Sequence, residues 1–372
     1  MSALRHLLIY CAALLVTGCG KTDVRSKAEA GDPESQARLG VLHFLGSGVI
    51  QNDTEALKWF RMAADQGNPS AQYHLGGMHD NGERVPKDEA EAVKWWRKAA
   101  DQGHAAAQND LGVMYYQGRG LQKDTTEAIK WLRMSADQGF DYAQNNLGDI
   151  YRNENYAEAV KWYRKAADQG LAEAQSNLGI MYSKGQGVTE DDSQAVKWYR
   201  KAADQEFDGA QYYLGFMYEN GHGVPKNEVE AVKWYRKSAD LGFDGAQYYL
   251  GFMYANGRGV QKDDAEAVKW YRKAADQGHA VSQIWCGFMY ENGHGVPQDE
   301  TEAYAWYNLA SISEKNAQNR RDELEKRLSP EAKSRAQQRS TELHKEIETR
   351  MNERLLKDDR KRREDQMKRT GK

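Results

Sequence analysis

Several residue types in this sequence stand at spacings that carry chemistry elsewhere. Glycine loops such as Gly221-His222-Gly223-Val224 and Gly257-Arg258-Gly259-Val260 let a backbone approach a phosphate closely. A phosphate cradle also needs a preceding strand and a following Gly-Lys-Ser/Thr. These loops follow helical patterns and lack that continuation, so they read as tight turns between helices. His222 and His294 share one loop position 72 residues apart, with Arg258 in the copy between them. His74 and His79 are five apart on one helix, a poor spacing for a shared face. No Cys/His/Asp cluster has zinc-site spacing, so neither a metal nor a cofactor is expected. Asp101, Asp168, Asp204, Asp240 and Asp276 recur once per unit near a helix end, as structural parts do, whereas a catalytic residue is normally singular. No Ser-His-Asp or Cys-His arrangement can be placed.

The cationic residues form a ladder: Lys94, Lys161, Lys197, Lys233 and Lys269, with Arg97, Arg164, Arg200, Arg236 and Arg272. A nucleic-acid surface is one reading. Acidic residues stand near each of them, however, and the chain divides unevenly in charge. From Ser311 onward there are 19 Lys+Arg against 13 Asp+Glu, leaving 33 against 42 in the rest. An acidic body speaks against nucleic acid, and i,i+3 and i,i+4 pairing on a solvated face explains the ladder better.

The N-terminus reads as an export signal, with Arg5 ahead of an apolar run from Leu7 to Val16 that is too short to span a bilayer. It ends in Val16-Thr17-Gly18-Cys19, which resembles the lipobox of bacterial lipoproteins. That resemblance implies a signal peptide over 1–18, lipidation of Cys19 and a linker over 19–29. Gly20 follows in place of the Asp that would imply inner-membrane retention, so the outer membrane is the expected destination. With Cys11 removed and Cys19 lipidated, only Cys286 remains, and no intrachain disulfide is expected in the mature chain.

The elements that position all of these residues are set by a repeat. A Trp-aromatic pair recurs at Trp59-Phe60, Trp95-Trp96, Trp162-Tyr163, Trp198-Tyr199, Trp234-Tyr235, Trp270-Tyr271 and Trp306-Tyr307, with Trp131-Leu132 filling the gap. The spacing is 36 residues throughout, except for one step of 31. Leu-Gly runs in phase at Leu39, Leu75, Leu111, Leu147, Leu178, Leu214 and Leu250, with Cys286-Gly287 in the eighth place. The short step falls where Arg152 to Tyr156 replaces a loop, a deletion that leaves stacked helices undisturbed. Within one unit, Ala210, Leu214, Met217 and Tyr218 fall at helical spacing and form an apolar stripe. Gly215 beside it admits a close neighbour, Asn220 to Pro225 breaks the helix, and Glu228 to Asp240 forms a second helix. One such hairpin cannot bury its own apolar face, so the units must stack.

The pattern Ala-x-x-x-Leu-Gly-x-Met-Tyr, then Gly-x-Gly-Val, then Glu-Ala-Val-Lys-Trp-Tyr-Arg-Lys-Ala-Ala-Asp-Gln-Gly resembles the sel-1-like, tetratricopeptide-related repeat. The resemblance covers eight units over 30–310. It implies an all-α fold, an α/α superhelical solenoid of helix hairpins, acting as a non-catalytic adaptor. The expected partners are other proteins, envelope or secreted, with no nucleic acid and with membrane contact only through the lipid. Cysteine-rich relatives linked to β-lactam binding or hydrolysis carry a regular Cys pair per repeat, which this chain lacks. The rival reading is an envelope hydrolase acting on peptidoglycan or β-lactams.

Variation inside the repeat marks a candidate binding face. The positions two before and two after the Leu read Tyr73/Gly77, Asn109/Val113, Asn145/Asp149 and Ser176/Ile180 in the earlier units. They become Tyr212/Phe216, Tyr248/Phe252 and Ile284/Phe288 in the last three. These positions are expected to point away from the core, making Tyr212, Phe216, Tyr248, Phe252 and Phe288 an aromatic partner-binding groove. The competing expectation is that the rings pack between adjacent helices. Residues 311–372 are expected to form a cap: a polar helix over Asn316 to Leu328, then a long charged helix starting at Ser329-Pro330-Glu331, with a frayed end. Leu343, Ile347, Met351 and Leu355 form its apolar stripe.

Overall fold

Each repeat folds as a hairpin because its ends are punctuated. The second helix of a hairpin starts at an Asn or Asp whose side chain accepts from the amide two or three residues on, as Asp88 does from Glu91 and Asn227 from Glu230. This satisfies amides that the helix itself leaves free. Most first helices end on a left-handed glycine, such as Gly82 or Gly221, with φ of 74° and 78°. The computed structural model describes residues 18–370, and side chains over 23–355. The expected signal peptide therefore lies outside the described residues except for Gly18. No strand occurs among the described residues.

Eight helix hairpins follow one another, and the chain divides into two compact bodies, Met1–Ala166 and Ala167–Lys372. In the first body the helix Gly18–Glu29 precedes the hairpins Pro33–Leu45/Asp53–Asp65, Pro69–Asn81/Glu89–Asp101 and Ala105–Gln117/Thr125–Asp137. The fourth, loopless repeat pairs Asp141–Tyr151 with Tyr156–Asp168, whose last two residues belong to the second body. The second body continues with Ala172–Ser183/Asp192–Ala203, Asp208–Asn220/Glu228–Asp240, Asp244–Asn256/Asp264–Ala275 and Ala280–Asn292/Glu300–Ala310. It closes with Lys315–Arg327 and the 41-residue helix Pro330–Thr370.

Three expectations change here. The segment read as a linker is helical, and Ala28, fully buried, gives its carbonyl to Gln36 of the first repeat at 3.1 Å. It occupies the place that a preceding repeat's second helix would fill. The C-terminal end expected to fray continues as helix to Thr370. The C-terminal stripe is split: Leu343 and Ile347 are buried against Trp306 and Leu309, while Met351 and Leu355 are exposed.

The glycine after each Leu explains how the two helices of a hairpin meet. A Cβ at Gly215 would lie 2.6 Å from the Tyr235 ring, and one at Gly287 would lie 2.6 Å from Tyr307. Nothing larger than hydrogen fits, so the second aromatic of each Trp-aromatic pair lies flat on its partner helix and is almost wholly buried. Between repeats, the buried Gln of each first helix donates to an Ala carbonyl of the preceding second helix, as in Gln108 to Ala100 and Gln247 to Ala239, both at 3.1 Å. An Arg of the second helix donates to a Tyr hydroxyl of the next repeat, for example Arg272 to Tyr290 at 3.0 Å.

Candidate functional site

The chemistry considered from sequence is absorbed by the stack. A Cβ at Gly259 would lie 2.3 Å from the carbonyl oxygen of Glu228, so this loop is filled by the preceding repeat and offers no cradle. The residue between the loop glycines reaches back to acids: Arg258 pairs with Glu219 at 2.9 Å and Glu228 at 2.7 Å. His222 Nδ1 lies 3.3 Å from Asp192, and His294 Nδ1 lies 3.9 Å from Asp264. Among the described residues no group of three or more His, Cys, Asp and Glu side chains converges as a metal site. Four of the five ladder lysines, Lys94, Lys161, Lys233 and Lys269, pair with a Glu of their own helix, as Lys94 does with Glu91 and Lys233 with Glu230, both at 2.8 Å. Further lysines lie over tryptophan rings, as Lys273 does over Trp270 at 3.8 Å. Cys286 is fully buried, and burial pushes its thiol up, away from the reactive thiolate.

The candidate aromatic residues all lie in the second body, and Tyr212, Phe216, Tyr248, Phe252 and Phe288 are all half-buried. They are linked through rings that the sequence reading placed beside them. Tyr213 stacks on Tyr199 at 5.0 Å, Tyr249 on Tyr235 at 5.3 Å and Trp285 on Tyr271 at 5.6 Å, each pair across a repeat junction. Tyr212 then contacts Tyr249 at 5.7 Å, Tyr248 meets Tyr249 at 5.2 Å, and Trp285 meets Phe288 edge-on at 5.6 Å. Phe252 packs against two core clusters, one between the sixth and seventh repeats and one between the seventh and eighth. Phe216 and Phe288 each lie beside a loop histidine, His222 at 6.0 Å and His294 at 5.7 Å, while Arg258 stands 5.7 Å from Phe252. Burial holds the Tyr212 and Tyr248 hydroxyls above the ordinary tyrosine range, so both rings are neutral amphipathic groups.

One premise of the sequence reading fails. The position two before the Leu does not point uniformly outward. Tyr73, Asn109, Asn145 and Ser176 are all buried. Asn109 accepts from Asn146 of the next repeat at 2.8 Å, and Tyr73 stacks on His104 at 4.9 Å. The helical wheel of one hairpin gives direction relative to that hairpin alone, and the following repeat covers this position. The position two after the Leu is half-buried in repeats two to eight, from Gly77 to Phe288. Two further features went unread. One is the stack, in each of the last three repeats, of the ring just before the Leu or Cys marker on the preceding repeat, which aromatics recurring at Tyr213, Tyr249 and Trp285 signal. The other is the placement of the loop His or Arg beside each Phe six residues earlier.

Comparison with known proteins agrees with the hairpin geometry. The Sel1 repeat model matches residues 33–68, 69–104, 105–140, 141–171, 172–207, 209–243, 245–279 and 280–312. A Sel1 repeat protein from Oxalobacter formigenes is 34% identical, with 84% of this chain and 93% of that one aligned at a TM-score of 0.63. A protective antigen present in uropathogenic Escherichia coli strains, displaying an SLR fold, is 30% identical over 90% of this chain and 97% of its own, at a TM-score of 0.43. No curated protein gives a significant match. Repeat proteins of this type bind other proteins and are in general interaction scaffolds. Eight matched repeats over hairpins of the same phase make this chain a member of the Sel1 repeat family.

Proposed function

We propose that this protein is a non-catalytic scaffold of the bacterial cell envelope, held at the membrane by lipid on Cys19. It grips a partner protein through Tyr212, Phe216, Tyr248, Phe252 and Phe288. The observation that carries the reading is the run of half-buried rings in three consecutive repeats, where the position two after the Leu in earlier repeats is Gly77, Val113, Asp149 or Ile180. A ring that is half covered by its own repeat is already ordered, so burying its other half against a partner costs little further rotamer entropy.

Phe216 and Phe288 make the cleaner test, because Phe252 is shared between two repeat cores. Partners are first identified by recovery from detergent-solubilised envelope on the immobilised protein. Phe216→Ala or Phe288→Ala is expected to weaken that binding by about 1–3 kcal/mol with little change in melting temperature. Phe252→Ala is expected to lower both. Lost stability with unchanged affinity in all three would make the rings packing residues only. A reproducible hydrolytic activity, abolished by changing one polar residue, would overturn the scaffold reading itself.

A further inference from the structure

We infer that the junction between the fifth and sixth repeats is the joint at which the second body opens, with repeats six to eight moving as one block. Three independent features meet there. The first is backbone strain. The residue closing a second helix into the next repeat is left-handed in each copy, and Gly242 and Gly278 take φ of 99° and 85°. At the junction in question the residue is Glu206, with φ of 62°. A side chain in that region crowds its own backbone, a strain that glycine avoids.

The second feature is a missing latch. In the fifth and seventh repeats a Gln at the end of the second helix donates to the Gln buried in the first: Gln205 to Gln175 at 2.9 Å and Gln277 to Gln247 at 2.7 Å. The sixth repeat has Leu241 in that place, 48% exposed, and the Oε1 of Gln211 is buried with no partner. Gln211 is one of the residues that tie the sixth repeat to the fifth, beside the Tyr213–Tyr199 stack and the Arg200–Tyr218 bond, and it donates to the Ala203 carbonyl at 3.4 Å. A buried amide oxygen without a donor favours any opening that hydrates it.

The third feature is a brace on one side only of the joint. The helix Pro330–Thr370 is pinned to the eighth repeat by Arg339–Glu302 at 2.9 Å and Asn308–Ser340 at 2.7 Å. It is pinned to the seventh by Arg350–Asp276 at 2.7 Å, and Arg354 reaches Gly242 at the end of the sixth. Leu343 and Ile347 share one buried cluster with Tyr271 and Ala275 of the seventh repeat and Trp306 of the eighth. Repeats seven and eight are thus clamped together beyond the strained turn, and the Arg354 guanidinium extends the brace to the end of the sixth. This inference stands independently of whether the aromatic face grips a partner.

Hydrogen exchange of the full chain, read by mass spectrometry, tests it. Amides of residues 204–213 are expected to exchange at least about tenfold faster than the matching amides of 240–249 and 276–285. Glu206→Gly, which relieves the backbone, and Leu241→Gln, which restores the latch, are each expected to slow them several-fold. Glu206→Ala keeps a Cβ in the left-handed region and is expected to leave them fast. Equal exchange at the three junctions overturns the inference. So does an unaltered rate in Glu206→Gly, or an Ala variant that slows exchange as much as Gly does.

Discussion

At position 74 the chain puts an imidazole where the last three repeats have Tyr213, Tyr249 and Trp285, and the ring packs at the same place, tilted by 33° and 4.7 Å from Phe60 of the preceding repeat. The site is costly for a titratable group. His74 is only 5% exposed and its Nδ1 has no partner. Burial first, and then the neighbouring His104, push its pKa down from 6.5 to about 3. His104 itself falls to about 4, again through burial. The folded state therefore keeps both rings neutral where the unfolded chain would protonate them. Stability from these groups is fully present above the unfolded pKa and is lost as pH falls below it toward the folded values. The loss approaches about 1.4 kcal/mol per pH unit for each ring. The melting temperature of the first body is expected to drop between pH 7 and pH 5. His74→Phe, which keeps a flat ring against Phe60, is expected to remove about half of that slope. An unchanged slope in the variant would refute the assignment.

Among the elements, the last hairpin departs from the pattern in a way that its neighbours explain. Its second helix has Ala305, Asn308 and Leu309 where the seventh repeat has Lys269, Arg272 and Lys273. Ala305 and Leu309 are buried, and Asn308 donates to Ser340, because this face receives the C-terminal helix instead of water. Returning Leu309 to the lysine of the other repeats would bury a charge or expel the helix. Leu309→Lys is expected to destabilise the second body by about 2–4 kcal/mol and to open residues 331–350 to chymotrypsin. Leu309→Met should do neither, and resistance to cleavage in the lysine variant would show that the seat is not what holds this helix. The hairpins themselves were legible from sequence, because Trp-aromatic and Leu-Gly markers keep one phase and the glycines fall where helices must end. The pairing of Leu343 with Ile347 was legible as an i+4 stripe, but its seat was not, since that requires comparing the eighth repeat with the seventh position by position. The aromatic face was legible as a departure from the repeat. Its depth was not, because Tyr73 and Asn109 are covered by the repeat that follows, and a single hairpin's periodicity carries no information about its neighbour.

For the molecule as a whole, the two chain ends differ in kind: the C-terminal 62 residues carry the basic excess, and the N-terminus carries the proposed anchor. The helix Gly18–Glu29 changes what that anchor would mean. A flexible linker over 19–29 would let the scaffold wander from the bilayer. A helix rising 1.5 Å per residue instead sets the first repeat roughly 15 Å from Cys19, close enough for the bilayer surface to restrict its approach. Acylation supplies the membrane affinity in this reading, and one chain alone gives only marginal, reversible binding, so Cys19 must carry more than one. The test follows the lipid. Cells grown with labelled palmitate are expected to label the wild-type protein, which should fractionate with membranes. Cys19→Ser should abolish the label and shift the protein to the soluble fraction, with its melting temperature unchanged because the repeats do not depend on the thiol. Membrane association and processing that survive Cys19→Ser would rule the anchor out and would leave the scaffold reading to rest on the repeats alone.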